Sequence, residues 1–411
     1  VGSNNIGLLL PNGQFGTRLA GGKDSASERY IFTQLNPITR KIFPQVDDNV
    51  LNYLNDDGTP VEPIYYAPII PMVLVNGSRG IGTGFSTDIT SYNPIDIINC
   101  IRRLLLGKTL DTDLMPYFEG FKGNISAITD SKFLIKGKYD HNGTDQLHIT
   151  ELPIGTWTDD YKGELEYMMS EKDKRGKKKI AYVKDYSDMS TDKVVDITIT
   201  LNPGVLGKLE TAISDYGCTG IEKVFKLITT HTNTNMYMFD SNDELKKYTN
   251  AREIIEDYFD VRLKMYDERK KYIINSLESE LIILSNKAKY IQENLSGTID
   301  LRGKKKAIIS ELLKSKDYNI IDEDKDYKYL VKMPMDSVSH ENVDKLMKET
   351  DIKKMELSSI KATTIQDMWN KELDELEKEY LIYRAGREKS MVNPSSGKKK
   401  VGKKKKLVVK C

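Results

Sequence analysis

A chain of 411 residues with 39% hydrophobic residues is long enough for two or three domains and at least one substantial core, which excludes a disordered chain. Its 30% charged residues nearly cancel, to +1 overall, so any polyanion-binding surface must come from local clustering. Cys100, Cys218 and Cys411 lie too far apart for a disulfide framework or a zinc site, no apolar run reaches the roughly 20 residues that cross a bilayer, and the start has no secretory signal; a soluble, intracellular protein without a membrane partner is expected.

In chain order, the first feature is GQFGTRLAGGKDSASERYIFTQL, from Gly13 to Leu35, a glycine-rich, basic, hydroxyl-bearing loop that runs into Arg29-Tyr30. Further on, YYAPIIPMVLVNGSRGIGTGF spans Tyr65 to Phe85, with Pro68 and Pro71 opposing a regular helix. Met72 to Val75 reads as a short strand feeding the second glycine loop. The apolar spacing of PIDIINCIRRLLL, behind a proline suited to a first turn, predicts a helix over Pro94 to Leu106.

Residues 107–230 read as strands. Val195, Ile197, Ile199 and Leu201 alternate with polar neighbours, as do residues around Phe133–Ile135 and Leu147–Ile149, which predicts a mixed sheet with helices around it. Glu171 to Lys179 (EKDKRGKKK) reads as a mobile basic loop. From Leu277 through Leu281, Leu284, Ala288, Ile291 and Leu295 the spacing alternates between three and four, a coiled-coil seam. Trp369, Leu373, Leu376, Tyr380 and Tyr383 repeat it, so these two segments are expected to pair as antiparallel arms around a small tip between about Gly297 and Lys354. Eight lysines crowd the fourteen residues from Gly397 to Lys410, a run typical of an import address or a polyanion clamp.

The chemistry centres on Tyr30. A tyrosine hydroxyl titrates near pH 10, so a nucleophilic role at neutral pH needs a group that stabilises the phenolate. An adjacent guanidinium would do this, and would also grip a phosphate with paired donors. Among 23 tyrosines, however, an Arg-Tyr pair arises by chance, and most tyrosines are structural. VNGSRGIGTG, from Val75 to Gly84, lacks the GK[ST] ending of a phosphate-binding loop. Ile81 within it is either an apolar wedge of the kind that unstacks bases or a residue folded back onto its own domain.

Together the two loops resemble the breakage-reunion core of type IIA DNA topoisomerases. GQFGTRLAGGKDSASERYIF is similar to the catalytic-tyrosine segment of eukaryotic-type topoisomerase II, and IIPMVLVNGSRGIGTGFS to its isoleucine-wedge loop. Bacterial gyrases carry an AMRYTE-like ending instead of SERYIF. FKGNIS, ITELPIGTWTDDY, GIEKVFKL, YFDVRLKMYDERK, DYKYLVKMP and DMWNKELDELE extend the resemblance to about Arg384. It implies Tyr30 as the nucleophile of a covalent 5′-phosphotyrosyl link, Arg29 assisting at the scissile phosphate, Ile81 as the wedge that bends DNA, and Gln14, Arg18, Lys23 and Arg79 close to DNA.

The fold class the resemblance implies is α+β and multidomain: a partial winged-helix domain over 1–100, a mixed α/β tower over 101–235, a first coiled-coil arm over 236–296, a helical C-gate dimerisation tip over 297–356, a returning arm over 357–386 and a basic flexible tail over 387–411. Double-stranded DNA and a second copy of the chain, joined as a homodimer, are the implied partners. Mg²⁺ and ATP are implied for a longer protein, because the family's ATPase module and its acidic EGDSA and DxD motifs are not found here; this portion alone is expected to be inactive. Glu28 stands where proline is common in the family and Phe85 where tryptophan is common. No zinc-like grouping joins His141, His148, His231 and His340, which read as structural. The short lysine run and the Lys-, Ile- and Asn-rich composition resemble enzymes of large double-stranded DNA viruses such as asfarviruses, for which the host cytoplasm as well as the nucleus would be the location. A non-enzymatic, DNA-holding chromosome organiser that uses its arms only to dimerise is the competing function.

Overall fold

The computed structural model describes residues 1–392 apart from 112, 142–144, 173–176, 179, 214, 302, 322–323, 325 and 335–337. The lysine-rich tail and the centre of the 171–179 basic loop therefore lie outside the described residues. Two compact units emerge, one made of Val1–Pro44, Ala67–Val261 and Glu372–Cys411, the other of Gln45–Tyr66 and Arg262–Lys371.

In the first unit the helix Pro94–Leu105 forms where its proline and apolar spacing place it. Asn93 caps it by accepting the Ile95 N–H at 3.0 Å, and Ile97, Ile98 and Ile101 are buried. Asn5 is fully buried nearby, donating from its side-chain amide to the carbonyls of Val75 (2.9 Å) and Tyr92 (3.1 Å) while accepting the Glu119 N–H at 2.8 Å. The Glu119 carboxylate in turn accepts the Tyr380 hydroxyl at 2.7 Å. Such buried polar groups persist because each finds a partner.

The strand-rich region departs from the expected mixed sheet. It contains two sheets in which every pairing is antiparallel: four strands in the order Val183–Asp188, Ile197–Leu201, Gln146–Glu151, Lys138–His141, and three in the order Ile228–Thr232, Lys132–Lys136, Asn124–Thr129. Alternation reports which face of a strand is buried but not the direction of its neighbour, so direction was beyond the pattern. Leu147 pairs with Ile199 and Ile149 with Ile197, and these four pack with Tyr161 and Leu165 of the helix Thr158–Met169.

Met72–Asn76 is a short helix, not the expected strand. Val73 and Val75 favour strands locally, but the Pro71 carbonyl accepts from Leu74 (3.0 Å) and Val75 (3.3 Å), closing a turn that buries Leu74 and Val75. Gly77 ends it at φ +71°, and a Cβ there would lie 2.7 Å from the Ile89 carbonyl oxygen.

In the second unit Asp47 is buried between two buried arginines, 2.8 Å from Arg262 and 2.6 Å from Arg269. Tyr266 lies between the same two guanidiniums, at 4.3 and 4.5 Å from its ring centre, and stacks on Trp369 at 5.4 Å. Residues 262–295 of the 45-residue helix Ala251–Leu295 belong to this unit, which also holds a small core of Tyr290, Ile299, Ile309, Leu313, Tyr318, Tyr327 and Leu330. Within this unit the seam from Leu277 and Trp369 do not meet as expected. Lys353 bonds Glu280 (3.2 Å) and Lys361 bonds Glu278 (2.7 Å), so the helix His340–Ala362 lies there, while Trp369 meets Tyr266 upstream of Leu277. In the 340–362 helix Thr350 and Lys353 interrupt the seam of Val343, Leu346, Leu357 and Ile360, which hid it from the reading. On the other side of the unit boundary, Leu373, Leu376 and Tyr380 are buried within the first unit.

Candidate active site and nucleic-acid interface

All the candidate site residues lie in the first unit. The strands Leu9–Asn12 and Phe32–Leu35 pair antiparallel, with Leu9 opposite Leu35 and Asn12 opposite Phe32, so the intervening loop is closed at its base. Inside it, Asp24 accepts the Thr17 hydroxyl at 2.6 Å, the Thr17 N–H at 2.9 Å and the Gln14 amide at 3.3 Å. The Thr17 bonds hold the Asp24 carboxyl below its ordinary titration range.

Tyr30 ends a single 3₁₀ turn, Glu28–Tyr30, with its N–H donating to the Ser27 carbonyl at 2.9 Å. Its side chain is 66% exposed, and the Arg29 guanidinium lies 5.1 Å from the centre of its ring. Arginine and tyrosine thus stand together at the surface, clear of any core. A buried structural tyrosine would look different: Tyr161 is 1% exposed and donates to the Phe225 carbonyl at 2.9 Å.

Arg18 departs from the expectation of a DNA contact. Its side chain is 8% exposed and pairs with Glu151, itself 1% exposed, and the Glu151 carboxylate also accepts the N–H groups of Lys122 (3.1 Å) and Leu152 (3.0 Å). The Arg18 N–H donates to the Asp192 carbonyl at 3.3 Å, and the Asp159 N–H donates to the Leu19 carbonyl at 3.0 Å. At Gly21, φ is +62° and an added Cβ would sit 2.4 Å from the Trp157 indole. The middle of the loop is therefore pinned to the four-stranded sheet and its following helix, and Arg18 serves that attachment. Glu151 shares the buried face of its strand with Leu147 and Ile149, so an acid in that period-two pattern was a legible sign of a buried partner; its identity was not.

Lys23 is exposed and lies 3.8 Å from Asp160, itself exposed, a pair that restrains it little. Gln14 is exposed and held by Asp24. Arg79 is exposed on the second hairpin, Ser78–Ile81 with Ser86–Ile89, in register with Asp88. At that hairpin's end Ile81 is 88% exposed and Phe85 64%, and the Gly82 N–H donates to the Phe85 carbonyl at 2.8 Å. An isoleucine so exposed has not folded back onto its own domain. Among the described residues no grouping of three or more His, Cys, Asp or Glu could hold a metal ion. His148 bonds Asp196 at 2.9 Å and His141 bonds Glu210 at 3.1 Å.

The family of DNA gyrase/topoisomerase IV A-subunits matches residues 1–374, a span that includes both hairpins. The chain belongs to that family. It is 38% identical to DNA topoisomerase 2 of Caenorhabditis elegans over 96% of its own length and 39% identical to DNA topoisomerase 2 of Arabidopsis thaliana over 92%. It spans 28% of each of those proteins. Among solved structures, it superposes with a TM-score of 0.84 and 38% identity on the Plasmodium falciparum topoisomerase II DNA-binding, cleavage and re-ligation domain, covering 96% of this chain and 55% of that one. This gyrase-family chain therefore has the mixed α/β fold of a topoisomerase II cleavage and re-ligation domain. No helix among its described residues is long and apolar enough to cross a membrane.

Proposed function

We propose that this chain is the strand-cleaving and resealing part of a type IIA DNA topoisomerase that passes one duplex through a transient double-strand break in another, relaxing supercoils and unlinking duplexes. The observation that carries the reading is the exposed Arg29-Tyr30 pair on a loop closed at its base and pinned at its middle.

The Tyr30 phenol oxygen attacks a backbone phosphorus. A bond forms from that oxygen to phosphorus, the bond to the 3′-oxygen breaks, and the 3′-oxygen leaves as a hydroxyl, with the phenol's proton given up. Arg29 places its fixed cationic fork beside the attacked phosphate, where negative charge builds in the transition state. One phosphate ester replaces another, so resealing is the reverse attack by the 3′-hydroxyl and no hydrolysis is needed. Ile81 and Phe85 supply the apolar surface that enters and unstacks a base step, bending the duplex at a cost of a few kcal/mol per step.

Among the described residues no acidic grouping fits Mg²⁺. Within the Gly13–Leu35 stretch the carboxylates are Asp24, engaged by Thr17, and Glu28, so the ligands of the cation and of ATP are assigned to residues elsewhere. The finer parts of the reading are the winged-helix, tower, coiled-coil and C-gate subdomains, and dimerisation through the 297–356 tip. The eukaryotic branch is favoured by SERYIF and by the source organisms of the relatives. The Lys-, Ile- and Asn-rich composition favours a large DNA virus, acting in host cytoplasm or nucleus.

Detergent trapping of the complete enzyme on a supercoiled plasmid tests the assignment. Protein joined covalently to a 5′ DNA end is the expected result. Binding and bending without any covalent product would favour the non-enzymatic DNA organiser instead.

A further inference from the structure

An apolar wedge works only if its hairpin resists the duplex it bends, and a two-stranded hairpin has little rigidity alone. The support comes from residues 233–237. The Asn235 side-chain amide donates to the Ser86 hydroxyl at 2.8 Å, the Asn235 carbonyl accepts the Asp88 N–H at 2.8 Å, and the Tyr237 N–H donates to the Thr87 hydroxyl at 3.3 Å. Three consecutive residues of one wedge strand are thereby held. Ser86 is also the residue directly paired with Ile81, so the Asn235 bond lands across the hairpin from the exposed tip.

The support is itself anchored. Asn233, buried, donates to the buried Tyr92 hydroxyl at 2.7 Å. Met236 and Tyr248, paired across the Met236–Phe239 and Leu245–Tyr248 hairpin, are both buried, and the Tyr248 hydroxyl bonds Asp257 at 2.9 Å. That hairpin's turn carries Asp240, Asp243 and Glu244, an acidic end that phosphates would repel. The hairpin's buried Met236 and Tyr248 suit it to bracing the wedge.

We propose that Asn235 is a positioning residue for DNA bending, fixing the angle at which Ile81 is presented; this rests on the reading of Ile81 as a wedge. A leucine at 235 keeps the backbone bond to Asp88 but removes the bond to Ser86. Loss of one such bond is expected to lower the bent fraction about fivefold.

The test uses the complete enzyme, a duplex labelled at both ends for energy transfer, and detergent-trapped adducts. In Asn235→Leu the bent fraction and the adduct yield fall together about fivefold, the thermal midpoint stays within about 2 °C of wild type, and a duplex with a mismatch at the bent step restores adducts to within about twofold. Ser86→Ala gives the same phenotype, and the double variant is no worse. Wild-type bending in Asn235→Leu, or adducts that the mismatched duplex does not restore, would overturn the proposal. Absence of bending and adducts in the wild-type enzyme would instead remove the functional reading beneath it.

Discussion

Replacing Arg18 with alanine separates two roles that an arginine in a glycine-rich loop can have. The guanidinium is paired with Glu151, whose side chain is 1% exposed, so its removal strands a buried carboxylate. Breaking such a pair from one side costs about 3–5 kcal/mol. The Lys122 and Leu152 N–H groups still bond that carboxylate at 3.1 and 3.0 Å, which puts the cost near the lower limit, about 3 kcal/mol. The unit that holds the loop has about 280 residues, so at about 2.1 cal/mol/K per residue its melting midpoint falls by about 5 °C. Glu151→Gln in the same background removes the stranded charge, keeps an acceptor for those N–H groups and recovers most of the loss. Calorimetry reads the midpoint, and duplex binding by fluorescence anisotropy across a salt series reads phosphate contacts. An arginine that neutralises a phosphate contributes about 0.9 to the slope of log affinity against log salt. The structural role predicts a lower midpoint with an unchanged slope. An unchanged midpoint with a slope reduced by about one would refute it and restore Arg18 to the DNA surface.

Gly21→Ala drives a Cβ to 2.4 Å from the Trp157 indole at a backbone angle that L-residues avoid, so it lowers adduct yield in the detergent assay at least tenfold, while Gly163→Ala, with open space at its Cβ and no positive φ, does so far less. Ile81→Ala reduces bending and cleavage but leaves the thermal midpoint within about 1 °C, since a residue 88% exposed contributes little to the core; a large drop in midpoint would contradict the wedge assignment. Asp24 titrates below its ordinary range because Thr17 bonds its ionised form, so the loop brace is fully present above the ordinary carboxylate value and is lost as pH falls through the lowered one. Hydrogen-exchange protection at the Thr17 amide should persist through pH 5 and disappear only below about pH 4, and Asp24→Asn should abolish that dependence.

Much of the site was legible because its parts are local. The hydroxyl and glycine pattern around Arg29-Tyr30 and the Ile81 loop are contiguous stretches, and Pro94 marks the start of its helix. Arg18 was misplaced because its partner, Glu151, is far along the chain, and charge alone does not say whether an arginine faces a phosphate or a buried acid. Met72–Asn76 misled for a related reason: its valines carry a strand preference that Pro71 and the burial of Leu74 override. Asn235 and Asp47 left no periodic trace, since each is a single polar residue joined to distant partners through the fold.

The central claim is that Tyr30 carries the covalent bond. It is tested most directly by digesting detergent-trapped adducts of the complete enzyme with nuclease and protease and weighing the peptide that spans Arg29 and Tyr30. A nucleotide joined through phosphate to the Tyr30 peptide, with no adduct but undiminished duplex binding in Tyr30→Phe, is the predicted result. A nucleotide on any other residue, or adducts that persist in Tyr30→Phe, would contradict the account.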